Sequence, residues 1–200
     1  MPTRRDLLLQ AAMFSALPGL GFAQTRGQLG LPLEPTPACG PQSYTPAQTP
    51  AQTAGPYFTP GSPRRNALRE PGMTGMPLRL GGRVLDPACR PLAGVLVDLW
   101  QADAEGRYDN DGFRLRGHVV TDAEGRWAFD TVRPGLYPGR TRHLHVKLQP
   151  AGGRVLTTQL YFPGEPGNAR DGIFDARLLM AVGGNDDEML ARFDFVLAEG

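Results

Sequence analysis

Two histidines, His143 and His145, stand one residue apart in the stretch GRTRHLHVKLQP, and the 200-residue chain holds only one more. In an extended strand, residues at i and i+2 point to the same face. His143, His145 and Lys147 then share one face, with Leu144, Val146 and Leu148 on the core side. Two imidazoles projecting in parallel from one rigid element suit adjacent positions around a metal ion, and they suit a solvated face as well. Zinc or copper on this pair would want a third histidine, a cysteine or a carboxylate nearby. The third histidine, His118, lies well upstream in RLRGHVVTD and reads as paired to backbone or solvent. A triad of two histidines and one carboxylate is not spelled either, because Arg142, Leu144 and Val146 flank and separate the pair.

The elements that would carry such a site are short strands. With 26 Gly and 20 Pro the chain is rich in turn formers, which argues against a helical bundle. LRLGGRVLD alternates apolar and polar residues, PACRPLAG turns, and VLVDLWQAD is an apolar run with Asp98 inside it. GHVVTDAEGRWAFDTV reads as strand, turn and strand, and HLHVKLQP, RVLTTQLYF and RFDFVL follow, each bounded by Gly, Pro or polar residues. The expected fold is all-β: a β-sandwich of mostly antiparallel strands with short helical segments in the connections. DARLLMAV is the best candidate for such a helix. Lys and Arg (21) nearly balance Asp and Glu (20), so the chain lacks the charge footprint of a nucleic-acid or anionic-membrane binder.

The N-terminus has a different texture. MPTRRDLLLQAAMFSALPGLGFAQ has a charged start, an apolar middle and a small-residue end, and its paired arginines resemble a twin-arginine export signal. Residues 1–23 are read as that signal and 24–54 as a Pro/Gln-rich arm, leaving 55–200 as one domain in the periplasm or outside the cell. The apolar run is short for a membrane span, and none is expected in the mature chain. In an oxidising compartment the only two cysteines, Cys39 and Cys89, are expected to form one bridge, stapling the arm to the domain.

Four separated motifs resemble a known family. GPYF at 55–58, VDLWQADAEGRYD at 97–109, GRWAFDTVRPGLYPGRTRHLHVKL at 125–148 and LTTQLYFPG at 156–164 are similar to the intradiol ring-cleavage dioxygenases, above all to the catalytic-subunit type of the protocatechuate 3,4-dioxygenases. The resemblance implies a non-haem Fe(III) cofactor held by Tyr108, Tyr137, His143 and His145. A hard ferric ion suits phenolate oxygen better than thiolate. It further implies a small aromatic diol and O2 as substrates, cleavage between the hydroxylated carbons, and a cis,cis-muconate-type diacid as product. Tyr137 would leave the metal as the diol binds and help to accept its protons. Arg140 would stabilise developing negative charge, and Gln159 would orient Arg140.

The sequence departs from the family in the segment after Tyr137, which is only PGRTR and lacks the tryptophan expected after Tyr-Pro. That leaves the ring substituent open. Arg133 and Arg142 are candidates either for a substrate carboxylate or for solvent. Members of the family often form homo-oligomers, but no interface is marked here. The rival reading is a noncatalytic exported sandwich of transthyretin-like type, which explains the strands but not the four ligand candidates in their motifs.

Overall fold

The structure, a computed structural model, describes Leu33 and residues 48–197. The export signal expected at 1–23, most of the arm, and Cys39 lie outside the described residues.

Among the described residues nine strands form: β1 (Pro77–Leu85), β2 (Leu96–Trp100), β3 (Arg116–Val120), β4 (Arg126–Val132), β5 (His143–Gln149), β6 (Leu156–Tyr161), β7 (Ala181–Gly184), β8 (Met189–Arg192) and β9 (Phe195–Val196). One sheet has the order β4-β1-β8-β7, with β9 also on β1, and the other has β3-β2-β5-β6. Pairing is antiparallel except where β8 and β9 run alongside β1. The all-β sandwich is therefore present. Alternation decides which side chains fill it: Leu80, Val84, Trp127, Phe129 and Phe195 from one sheet join Val97, Leu99, Leu144, Val146 and Leu148 from the other in a single buried cluster. Each such side chain contributes roughly 1.5–3 kcal/mol on burial.

Three local features set the strand positions. Between β8 and β9 the chain bulges across Gly82, where a Cβ would overlap the Phe193 carbonyl, so only glycine fits. The turn between β3 and β4, read from the sequence as joining consecutive strands, crosses from one sheet to the other. One turn chemistry recurs at Asp86–Arg90, Asp103–Arg107 and Asp122–Arg126. In each, an aspartate Oδ1 accepts the amide of the arginine four residues on (2.8, 2.9 and 2.9 Å). The fourth residue is left-handed each time: Gly106 (φ 85°), Gly125 (φ 70°) and, unusually, Cys89 (φ 61°). Cys89 is disulfide-bonded.

The helix expected at DARLLMAV is reduced to one 3₁₀ turn, Ala176–Leu178, capped by Asp175. Leu178 enters the core, and β7 begins at Ala181. No described helix is long and apolar enough to cross a membrane.

The end of the arm is tied to both sheets. Thr49 exchanges backbone and side-chain hydrogen bonds with Val196 of β9 (2.9 and 2.8 Å). Gln52 N–H then donates to the Thr157 carbonyl of β6 (2.8 Å), and the Pro50 carbonyl accepts from Thr158 Oγ1 (2.7 Å).

Candidate active site

The site lies on the outer face of the sheet β3-β2-β5-β6. Registry places Trp100, His145 and Gln159 side by side on adjacent strands, and His143 beside Tyr161. Direct partners in an antiparallel pair share a face. The predicted split of β5 is present, with Leu144, Val146 and Leu148 at 0% exposure toward the core. The histidine face is buried as well, His143 at 5% and His145 at 3%, because the segment 49–58 folds over it. Gly55 is left-handed there, and a Cβ on it would stand 3.3 Å from His145 Cε1.

The two imidazoles converge. His143 Nδ1 hydrogen-bonds the Thr141 carbonyl (2.7 Å), which makes Nδ1 the protonated nitrogen and leaves Nε2 with its lone pair. His143 Nε2 lies 3.2 Å from His145 Nε2 and 3.4 Å from Tyr108 Oη. His145 stacks on Trp100, with ring centroids 5.0 Å apart and planes within 7°. Burial pushes the His143 imidazole down to about 4, and burial together with neighbouring His143 holds His145 well below its ordinary value. Both rings are therefore neutral near pH 7, the state in which imidazole ligates a metal.

Tyr108 and Tyr137 come from the loops after β2 and β4, and glycines bring those loops together. A Cβ on Gly106 would overlap the Leu136 carbonyl, and one on Gly135 the Ala104 carbonyl, so the backbones touch two residues before each tyrosine. Gly135 N–H donates to the Asp103 carbonyl at 2.7 Å. The Tyr108 and Tyr137 rings lie edge to face at 6.0 Å. Burial raises the Tyr108 phenol above its ordinary value, opposed by the charges of Arg140 and Arg116. Without a bound cation Tyr108 thus stays a neutral phenol.

Arg140 is held from three sides. Its Nε donates to Asp171 Oδ2 (2.8 Å), and its Nη2 donates to Gln159 Oε1 (2.8 Å) and, more distantly, Tyr161 Oη (3.4 Å). Gln159 is 0% exposed and spends its amide N–H on the Thr53 carbonyl (3.0 Å). All six candidates, Tyr108, Tyr137, Arg140, His143, His145 and Gln159, thus gather around one patch of the sheet. Arg133 and Arg142 do not join them: both bond the Glu165 carboxylate, at 2.5 and 2.9 Å. His118 Nδ1 hydrogen-bonds the Ser62 carbonyl (2.8 Å).

Three residues of the site were not singled out from sequence. Tyr57, in GPYF, lies 2.8 Å from Tyr137 Oη through its own hydroxyl and stacks on Tyr108 at 4.5 Å. The hydrogen bond with Tyr137 raises the Tyr57 phenol. Trp100 supports His145. Tyr161 donates to Gln52 Oε1 (2.7 Å), and burial pushes its phenol up to about 12. Trp100 and Tyr161 were legible from period two, once β2 and β6 were paired in register with β5.

Among the described residues no three His, Cys, Asp or Glu side chains gather as a metal site. A metal bound to the histidine pair would therefore depend on tyrosine oxygen. The donor set fits such an ion: the neutral His143 Nε2 lies 3.2 Å from His145 Nε2 and 3.4 Å from the Tyr108 phenol oxygen. A phenol this desolvated ionises readily only against a cation, and a hard cation favours that oxygen.

The chain is similar to known dioxygenases. A family described as Dioxygenase matches residues 53–200. The chain is 35% identical over 153 residues to the protocatechuate 3,4-dioxygenase beta chain of Burkholderia cepacia, covering 68% of this chain and 63% of that protein. It is 52% identical, with a TM-score of 0.75, to the dioxygenase domain of a dioxygenase carbohydrate-binding protein fusion from Streptomyces sp. SirexAA-E, covering 77% of this chain and all of that one. The 3-chlorocatechol 1,2-dioxygenase of Rhodococcus opacus 1CP superposes with a TM-score of 0.71 at 28% identity, covering 76% of this chain and 73% of that one. The chain thus spans less than two thirds of the length of the beta chain it matches, yet the match takes in the whole sandwich and the loops of both tyrosines. On that ground the chain belongs to the intradiol ring-cleavage dioxygenase family.

Proposed function

We propose that this protein is a ring-cleaving dioxygenase for catechol-type diols, using O2 and a non-haem ferric ion held by Tyr108, Tyr137, His143 and His145. The observation that carries the reading is the convergence of two neutral imidazole nitrogens, 3.2 Å apart, with the Tyr108 oxygen. When bound, Fe(III) would hold the diol in its deprotonated form and draw electron density from it, leaving a ring carbon reactive toward O2 and leading to a cis,cis-muconate-type diacid. The chain's own residues do the rest. The hydroxyls of Tyr57 and Tyr137 share one hydrogen bond, so a proton released at Tyr137 has a partner in place. Arg140, fixed by Asp171 and Gln159, presents a cation that needs no reorganisation as negative charge develops. Trp100 and Gly55 exclude water from the far side of His145. Export by the twin-arginine route belongs to the same proposal, since that route carries folded proteins and suits one that acquires its metal first.

The test is a visible absorption spectrum of the ferric-loaded protein before and after anaerobic addition of catechol. The expected result is a red protein whose tyrosinate-to-iron band moves to longer wavelength with the diol. A protein that stays colourless after loading would refute the iron site.

A further inference from the structure

We propose that Arg116 is a positioning residue for this site: a buried guanidinium that clamps the main chain at both stacked tyrosines, Tyr57 and Tyr108, and so sets the direction of the Tyr108 oxygen. Arg116 opens β3 and is 1% exposed. Its Nε and Nη2 donate to the Asp109 carbonyl (3.0 and 2.6 Å), immediately after Tyr108, and its Nη1 donates to the Tyr57 carbonyl (2.5 Å). One planar group thus joins the loop after β2 to the segment that follows the arm, at the residues whose rings stack at 4.5 Å and 16°.

Other features of the loop agree with a clamp. A buried charge is costly without partners, yet among the described residues Arg116 hydrogen-bonds only main-chain carbonyls and forms no ion pair. Asp109, the nearest acid in sequence, spends its carboxylate on the amides of Asp111, Gly112 and Arg114 (3.1, 3.0 and 2.8 Å), which shapes the loop rather than neutralising Arg116. Leu115, just before Arg116, adopts a left-handed backbone (φ 55°) that leucine disfavours, and this delivers the guanidinium inward. Lysine would keep the charge, but its single ammonium has no planar fork to span two carbonyls on separate segments.

The inference rests on the ferric-site reading only through one arm of its test. The full chain is compared with R116K and R116M, iron-free and after Fe(III) loading. In the iron-free proteins, amide exchange is expected to rise several-fold in peptides covering 55–60 and 106–114, while peptides from β1 and β4 keep wild-type rates. After loading, the tyrosinate-to-iron band should move and weaken in R116M and lie between that variant and wild type in R116K. If both variants merely melt earlier, with exchange raised evenly and the band unmoved, Arg116 is core filling and the proposal fails. Should R116M not fold, R116K decides by the same readouts. A wild-type protein that binds no ferric ion would sink the iron reading alone, and exchange in the iron-free variants would still decide for or against the clamp.

Discussion

Arg140 brings a fixed positive charge to a patch where both imidazoles are neutral, and its partners divide its duties. Asp171 takes Nε and balances the charge, while Gln159 takes Nη2 and fixes the aim. Arg140→Met is expected to leave ferric binding intact and lower kcat by about 10²–10³, the scale of losing one preorganised charge-stabilising donor. Gln159→Leu keeps the Asp171 contact and should cost only about tenfold, the equivalent of roughly one hydrogen bond. Steady-state kinetics on iron-quantified protein would check both, and equal losses would contradict the division. Tyr108→Phe removes one of the two oxygen donors and should cost ferric binding and with it the visible band, at unchanged thermal stability of the iron-free protein. The histidine pair was legible in the sequence because strand periodicity alone fixes its direction. Its burial was not, because the cover comes from Gly55 and neighbouring residues roughly ninety positions away, outside any local pattern.

At the scale of elements, Glu165 ties the loop after β4 to the loop after β6. Burial alone would raise its carboxyl, but hydrogen bonds from Arg142 and Arg133 outweigh that and hold it below the usual 4.5. A carboxylate depressed in the folded state stabilises the protein above its unfolded value, and that stability is lost as pH falls through the folded value. The wild type should therefore lose stability on acidification below about pH 4.5, and Glu165→Gln should be less stable at neutral pH and flatter in that acidic range. Denaturant titrations at several pH values would show it, and parallel curves for the two proteins would refute it. The same connections show where sequence reading stops. The residues of DARLLMAV favour a helix locally, but Leu178 is drawn into the core and Met180 N–H pairs with the Tyr161 carbonyl (3.0 Å), so only one turn survives. The strand-turn-strand at 117–132 was read correctly as elements but hid the change of sheet, because a turn signal does not say which edge the next strand will join.

For the whole molecule, the two sheets are joined by the core and also by the arm, which touches β9, β6 and the site in turn. A chain shortened to begin at residue 54 loses the contacts of Thr49, Pro50, Gln52 and Thr53. It should melt lower by roughly 5 °C or more, given that about 1 kcal/mol shifts Tm by 2–4 °C at this size. Its ferric band should also broaden as Gln159 loses the Thr53 carbonyl. Calorimetry and the visible spectrum test the two halves separately.

Thr49 and Val196 are 147 positions apart, yet each completes the other's hydrogen bonds. The ribosome makes the arm early and β9 late, so the piece that covers His145 cannot take its seat until almost all of the sandwich has emerged. The histidine pair is thereby shut in last: it stands open on β5 until the final strand gives the arm its anchor.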